Sequence, residues 1–172
     1  MAWIKKEILL PKDYDDDDAQ TVAEELLSFI VDRSKKGQGS DGEVFPDYSA
    51  SYRASNAFKI ARKGKVNLTL SGEMLDSLQI LSAKKGKIVI GFEKGDERNN
   101  AVAEGNILGS YGGEANKAKA RNFMELSGNE LSKVIRSLDI LPRDVQNEIA
   151  RQAKAGAIEI VDKFVFDLDT ED

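Results

Sequence analysis

Three groups of residues in this 172-residue chain have the types and spacing to do chemistry. The first is Asp15 to Asp18, consecutive carboxylates whose charge density suits Mg²⁺ or Ca²⁺ and, with the metal, hydrolase or nuclease chemistry. No spaced D-x-D-x-D-G loop follows it, and helix starts attract aspartates anyway. The second group is the basic stretches "KIARKGK" (59–65) and "KKGK" (84–87), which supply Arg62, Lys63, Lys65, Lys84, Lys85 and Lys87. These could face nucleic acid, line a channel that passes DNA, meet a neighbouring subunit, or stand as solvated loop tips. No aromatic residue alternates with the lysines as a stacking platform requires. The third group is "RNFMELSGNEL" (121–131), in which Arg121 and Phe123 precede Ser127-Gly128-Asn129-Glu130. The S-x-x-E spacing is that of a capping box, with the serine hydroxyl accepting from the Glu130 amide while the glutamate reaches back.

The chain has no histidine and no cysteine. That removes the commonest general acid/base, the triad imidazole and the usual zinc ligands. There is no G-x-S-x-G, no G-x-x-x-x-G-K-[ST] and no H-E-x-x-H. Serine, lysine or tyrosine nucleophiles would need a base or a depressed pKa that spacing cannot supply. Gly37, Gly39 and Gly42 do spell G-x-G-x-x-G within "GQGSDGEVFPD" (37–47). The dinucleotide fingerprint must follow a strand and open a helix, whereas this one follows a helix, so a flexible loop is expected. The expectation is therefore a protein that is not an enzyme, with no cofactor and no resident metal.

The elements that must position these groups follow from periodicity. "WIKKEILL" (3–10) reads as an opening strand. In the next segment Ala19, Val22, Ala23, Leu26, Phe29 and Ile30 recur at helical spacing, with Asp15 to Asp18 at the start and Arg33, Lys35 and Lys36 complementing the dipole at the end. A short helix is expected at about 48–56, a strand through Leu68 and Leu70, then a turn or two of helix carrying Met74, Leu75 and Leu78. "AKKG" joins a strand from Ile80 to "KIVIGF" as a β-hairpin with a lysine-rich tip. A helix is expected from about Asp96, dissolving into glycine-rich loop by 109–113. Two more follow, at about 128–138 and from Pro142 to about 155. In the former, Leu131, Val134, Ile135 and Leu138 form the apolar stripe, and Leu126 with Leu131 fits a hydrophobic staple. The last strand alternates Ile158, Ile160, Phe164 and Phe166. The whole reads as α+β, a mostly antiparallel sheet with helices packed on one side, in a single domain over 1–172.

The apolar fraction of 41% and charged fraction of 32% are those of a soluble globular protein. No apolar run is long enough to span a bilayer, and the N-terminus lacks the pattern of a signal peptide. Absence of cysteine fits a reducing compartment. The net charge of -5 is unevenly spread, since residues 1–50 carry -6 and residues 51–100 carry +5. A basic middle between acidic ends suits head-to-tail contact between copies, although a mixed surface without meaning would look the same.

Three segments in order carry a resemblance. "FPDYSASYRASNAFKIARKGKVNLTLSGEMLDSLQI" brings Tyr48 and Tyr52 ahead of Asn67, Leu68, Thr69, Leu70, Gly72, Met74, Leu75 and Ser77, and a hairpin follows. "AVAEGNILGSYGG" then precedes Arg121, Phe123, Leu126, Ser127, Glu130 and Leu131. Over roughly residues 43–138 this resembles the phage virion-morphogenesis and tail-completion (head–tail joining, neck) proteins. Asn122 stands where that pattern has proline, the histidine ahead of its glycine is missing, and the tail after residue 140 is longer.

The resemblance implies a non-catalytic structural protein of a tailed bacteriophage. Its partners would be other copies in a ring, six or twelve, together with tail-tube or tail-terminator and head-connector proteins. DNA could pass through the lumen, and no membrane is involved. Its place would be the virion neck or tail, after assembly in the host cytoplasm. A ring needs two different surfaces on each subunit, and the loops at 37–47 and 109–120 are material for them. The alternative is a small cytosolic nucleic-acid-binding module using the basic segments 53–65 and 84–87.

Overall fold

The structure is a computed structural model that describes residues 2–47, 54, 73–110 and 114–166. Tyr48, Tyr52, Arg62, Lys63, Lys65, Leu68 and Gly72 lie outside the described residues. So do the expected helix at 48–56, the strand through Leu68 and Leu70, and the side chains of Phe164 and Phe166.

Strand β1 (Ala2–Leu9) runs through the middle of an antiparallel sheet. The hairpin β2 (Gln79–Lys84) and β3 (Lys87–Gly91) lies on one side of it, and β4 (Ile160–Phe166) on the other, giving the order β2-β3-β1-β4. The period-2 alternation of a strand sends Ile4, Lys6 and Ile8 to one face and Trp3, Lys5 and Glu7 to the other. Ile88 and Ile90 of β3 join the first face in the core, where Ile4, Ile8 and Phe92 are also buried. Lys6 is a charged residue at a core position, only 2% exposed, and its ammonium donates to Asp162 opposite it on β4. A bulge between Ile80 and Ser82 interrupts the β2–β3 register.

Helix α1 (Asp16–Lys35) packs on β2 and β3 with Ala19, Val22, Ala23, Leu26 and Ile30 buried. Its start is capped by Asp15, whose carboxylate accepts from the Asp18 amide at 2.8 Å. The short α2 (Glu73–Ser77) packs against α3 (Glu97–Leu108), and α3 lies on β1. Asn100 is the polar pin of that contact: its Oδ1 accepts from the Ile4 amide at 2.8 Å, and its Nδ2 donates to the carbonyls of Glu93 and Asp96. Gly109 ends α3 in the left-handed region at φ 66°, where a Cβ would come within 2.1 Å of the Asn116 carbonyl oxygen.

The last two helices, α4 (Gly128–Ser137) and α5 (Arg143–Lys154), form a helical hairpin, of which α4 packs on α1 and on the turn at Ser40–Gly42. Gly128 allows their close approach, since a Cβ there would lie 2.2 Å from the Ala153 carbonyl oxygen. Gln146 of α5 donates to the carbonyls of Ile135 and Leu138, satisfying the frayed end of α4. The buried apolar residues of the helices and of the sheet face they cover form one continuous cluster, with Val89 apart on the other face. The α+β reading and the antiparallel hairpin hold.

Two local expectations do not. Pro142 precedes α5 as its cap residue rather than sitting inside the first turn. Ile158 precedes β4, which opens at Ile160, so the alternation does not begin at 158; Ile158 is buried from a bend instead.

Candidate functional site: a buried ionic joint

The stripe that makes α1 amphipathic does not stop at its last apolar residue. Arg33 lies three residues beyond Ile30 and seven beyond Leu26, so the same face carries it inward. It is 6% exposed, and its Cζ lies 5.6 Å from the centre of the Phe29 ring. Its Nη1 meets Glu130 Oε2 at 2.5 Å, and its Nη2 donates to the carbonyls of Phe123 and Glu125. Arg33 was expected to complement the dipole at the end of α1, and it does stand in the last turn. It is also the centre of a joint binding α1 to the 121–130 segment, and its Nε is buried without a partner.

Glu130 works on both sides of the joint. The capping box is present: Ser127 Oγ accepts from the Glu130 amide at 3.1 Å, and Glu130 Oε1 accepts from the Ser127 amide at 3.3 Å. The same Oε1 accepts from Ser40 Oγ at 2.8 Å, and Ser127 Oγ donates to Asp41 at 2.7 Å. Burial pushes the Glu130 carboxyl up, but the hydrogen bonds from Arg33 and Ser40, the Arg33 charge and the Ser127 amide outweigh it, holding it below the usual carboxylate range. The carboxylate is therefore ionised, paired and enclosed.

These bonds change the reading of the 37–47 loop. A flexible glycine loop was expected, but the described chain is fastened there. Gln38 and Val44 form a bridge, Ser40–Gly42 is a turn of 3₁₀ helix, and Phe45 is buried. Arg121 holds the next stretch, with Nε donating to the Pro46 carbonyl at 3.0 Å and Nη2 to that of Asp47 at 3.1 Å. Backbone carbonyls held by a guanidinium are bound in position, because each is satisfied without water.

The structure brings together Arg121, Phe123, Leu126 and Glu130 in this joint, and all four are buried. Phe123 stands edge-on to Phe92 at 6.4 Å between ring centres. The staple residues Leu126 and Leu131 are both in the core cluster. Met74 and Leu75 are buried on α2, some way along the fold, with the Met74 sulfur 3.8 Å from Asn106 Nδ2. Lys84, Lys85 and Lys87 are exposed at and beside the hairpin turn.

The acidic run is occupied with helix-start work. Asp15 caps α1, Asp16 accepts from the Lys85 amide of the hairpin turn, and the Asp17 carbonyl accepts from Thr21 Oγ. Among the described residues, no group of three or more Asp or Glu is arranged to hold a metal ion. None of the helices searched is long and apolar enough to cross a membrane.

Sequence reasoning missed Arg33 and Ser40. Helical spacing could have found the first, because Arg33 falls on the apolar stripe. Nothing in the sequence marks Ser40, which is ninety residues from its partner. Comparison of the chain with family models, with curated proteins and with solved structures returned no match, so the resemblance rests on its own motif residues.

Proposed function

We propose that this protein is a structural component of a tailed bacteriophage, a tail-completion or neck protein that acts by assembling into a ring at the head–tail junction. The observation that supports it most is the use made of the motif shared with that family. Arg121, Phe123, Leu126 and Glu130 are buried, and the polar groups of Arg121 and Glu130 are spent on backbone carbonyls, a backbone amide, a serine hydroxyl and a guanidinium of the same subunit. A segment so constituted sets the shape of a subunit rather than the chemistry of a cleft. It also stiffens the 38–47 loop, and a stiff loop loses less entropy when a neighbouring copy or a tail protein docks. The reading includes no catalysis and no cofactor, and its partners are other copies, tail-tube or terminator protein and head-connector proteins.

The test is native mass spectrometry with negative-stain microscopy of the full chain, alone and with purified tails. A closed oligomer, six copies expected and twelve compatible, or a single ring at the tail end, supports the proposal. A monomer that also leaves tails undecorated sinks it, and if that monomer binds DNA through Lys84 and Lys85 the module reading takes its place. Phe123→Ala sharpens the test, since it should weaken both folding and assembly; a variant normal in both would mean the motif segment is not a joint.

A further inference from the structure

The sheet face turned away from the helices carries the chain's one tryptophan. Trp3 is pinned there by its Nε1, which donates to the Phe92 carbonyl at 2.7 Å. It lines an open groove of about 410 Å³ with Leu81 and Val89 as further apolar wall. The ammonium groups of Lys5 and Lys94 lie 4.1 Å and 5.9 Å from the indole centre. Lys87 lines the same groove. Lys163 stands beside it on β4, 3.0 Å from Glu7, which Lys5 also approaches at 3.8 Å. Glu7 is thus neutralised from two sides, and Glu93 at the rim is the other carboxylate of the groove.

We propose that this face binds a single-stranded polynucleotide, with Trp3 stacking on a base and Lys5, Lys87 and Lys94 meeting the phosphates. An aromatic platform beside a row of lysines is the chemistry that sequence-tolerant single-strand binding uses. The basic segments alone lacked the aromatic partner, and the fold supplies it from the other end of the chain: Lys87 is on β3 and Trp3 on β1, strands that are paired neighbours. The ammoniums over the indole are attracted by its π face and are held only at the surface. When a base takes the ring, the ammoniums can turn from its face toward the phosphates. The face carries an excess of cations although the chain as a whole carries -5, so the attraction is local to this surface.

Because the chain has a single tryptophan, its emission reports this groove alone. The experiment is a titration of the full chain with oligothymidylate at low salt, repeated at rising salt. The expected result is a saturable change in Trp3 emission. The affinity should fall with salt at a log–log slope of about -2, as three neutralised phosphates of a single strand require. Lys87→Ala and Lys94→Ala, both at exposed positions and checked for folding by circular dichroism, should each weaken binding about fivefold to tenfold. Lys84→Ala and Lys85→Ala at the hairpin turn should leave it nearly unchanged. No emission change at low salt overturns the proposal, as does a loss that follows the tip lysines instead. Emission that depends on protein concentration without any oligonucleotide overturns it too, and assigns the face to contact between copies.

Discussion

Arg33 on α1 and Glu130 on α4, ninety-seven residues apart, form a buried ion pair at 2.5 Å in which the carboxylate also closes a helix capping box. One side chain therefore links a local helix start to a distant helix end. Glu130→Gln should leave a buried guanidinium without its counter-charge and cost about 3 kcal/mol. Urea unfolding of the two single variants and of the Arg33→Met, Glu130→Gln double variant checks this. The double variant should cost less than the sum of the singles by more than about 1 kcal/mol.

The same carboxylate gives stability a pH dependence. Its folded pKa lies below the ordinary value of 4.5, so the unfolded chain binds the proton more readily. The contribution is fully present above 4.5 and is lost as pH falls through the lower folded value. Chemical unfolding measured between neutral pH and pH 3 should show this loss, and Glu130→Gln should flatten that part of the curve.

Tyr14 predicts the opposite limb. Burial, with the charges of Asp18 and Asp13, pushes its phenol up to about 12 from the ordinary 10.0. Since the neutral form is favoured in the fold, stability is kept below pH 10 and declines as pH rises toward 12. In an alkaline titration followed by near-ultraviolet absorbance, Tyr14 should remain un-ionised after ordinary tyrosines have titrated. Tyr14→Phe should remove the late component.

Gly128→Ala tests the α4–α5 contact. Glycine to alanine in a helix ordinarily stabilises by about 1 kcal/mol. Here the new methyl would meet the Ala153 carbonyl oxygen at 2.2 Å, which is backbone and cannot simply rotate away. The substitution should destabilise by about 1–3 kcal/mol as an overpacked site does, read as a lowered melting temperature.

Lys6 and Asp162 should respond unequally. Lys6 is buried on the core face, whereas Asp162 is 38% exposed. Asp162→Asn strands a buried ammonium and should cost about 2 kcal/mol, while Lys6→Met fills the same space without a charge and should stay within about 1 kcal/mol of the native protein. Thermal melts of the two variants decide it. Equal losses would mean that the pair acts through its attraction alone.

Much of this architecture is legible in the chain because it is local. The Ser127–Glu130 box, the Asp15 cap, the α1 stripe and the 79–91 hairpin each depend on residues within a few positions of one another, and all are present. Ile158 was misplaced for the same reason, since alternation carries no mark of where pairing starts. The 37–47 loop shows the limit most clearly. Its glycines and polar residues read as mobile, and it is partners far along the chain, Glu130, Ser127 and Arg121, that help to fix it.

By itself the sequence determined the elements, their amphipathic faces and the absence of imidazole and thiol chemistry, because periodicity and residue inventory need no partner. Tertiary structure alone decided what the charged residues do. Charges cannot enter a core unless a counter-charge arrives from elsewhere in the chain. So Arg33, placed in the last turn of α1, became a pivot as well, and Lys6 became tolerable on a core face. The same folding set Lys87 of the hairpin in one groove with a tryptophan eighty-four positions away.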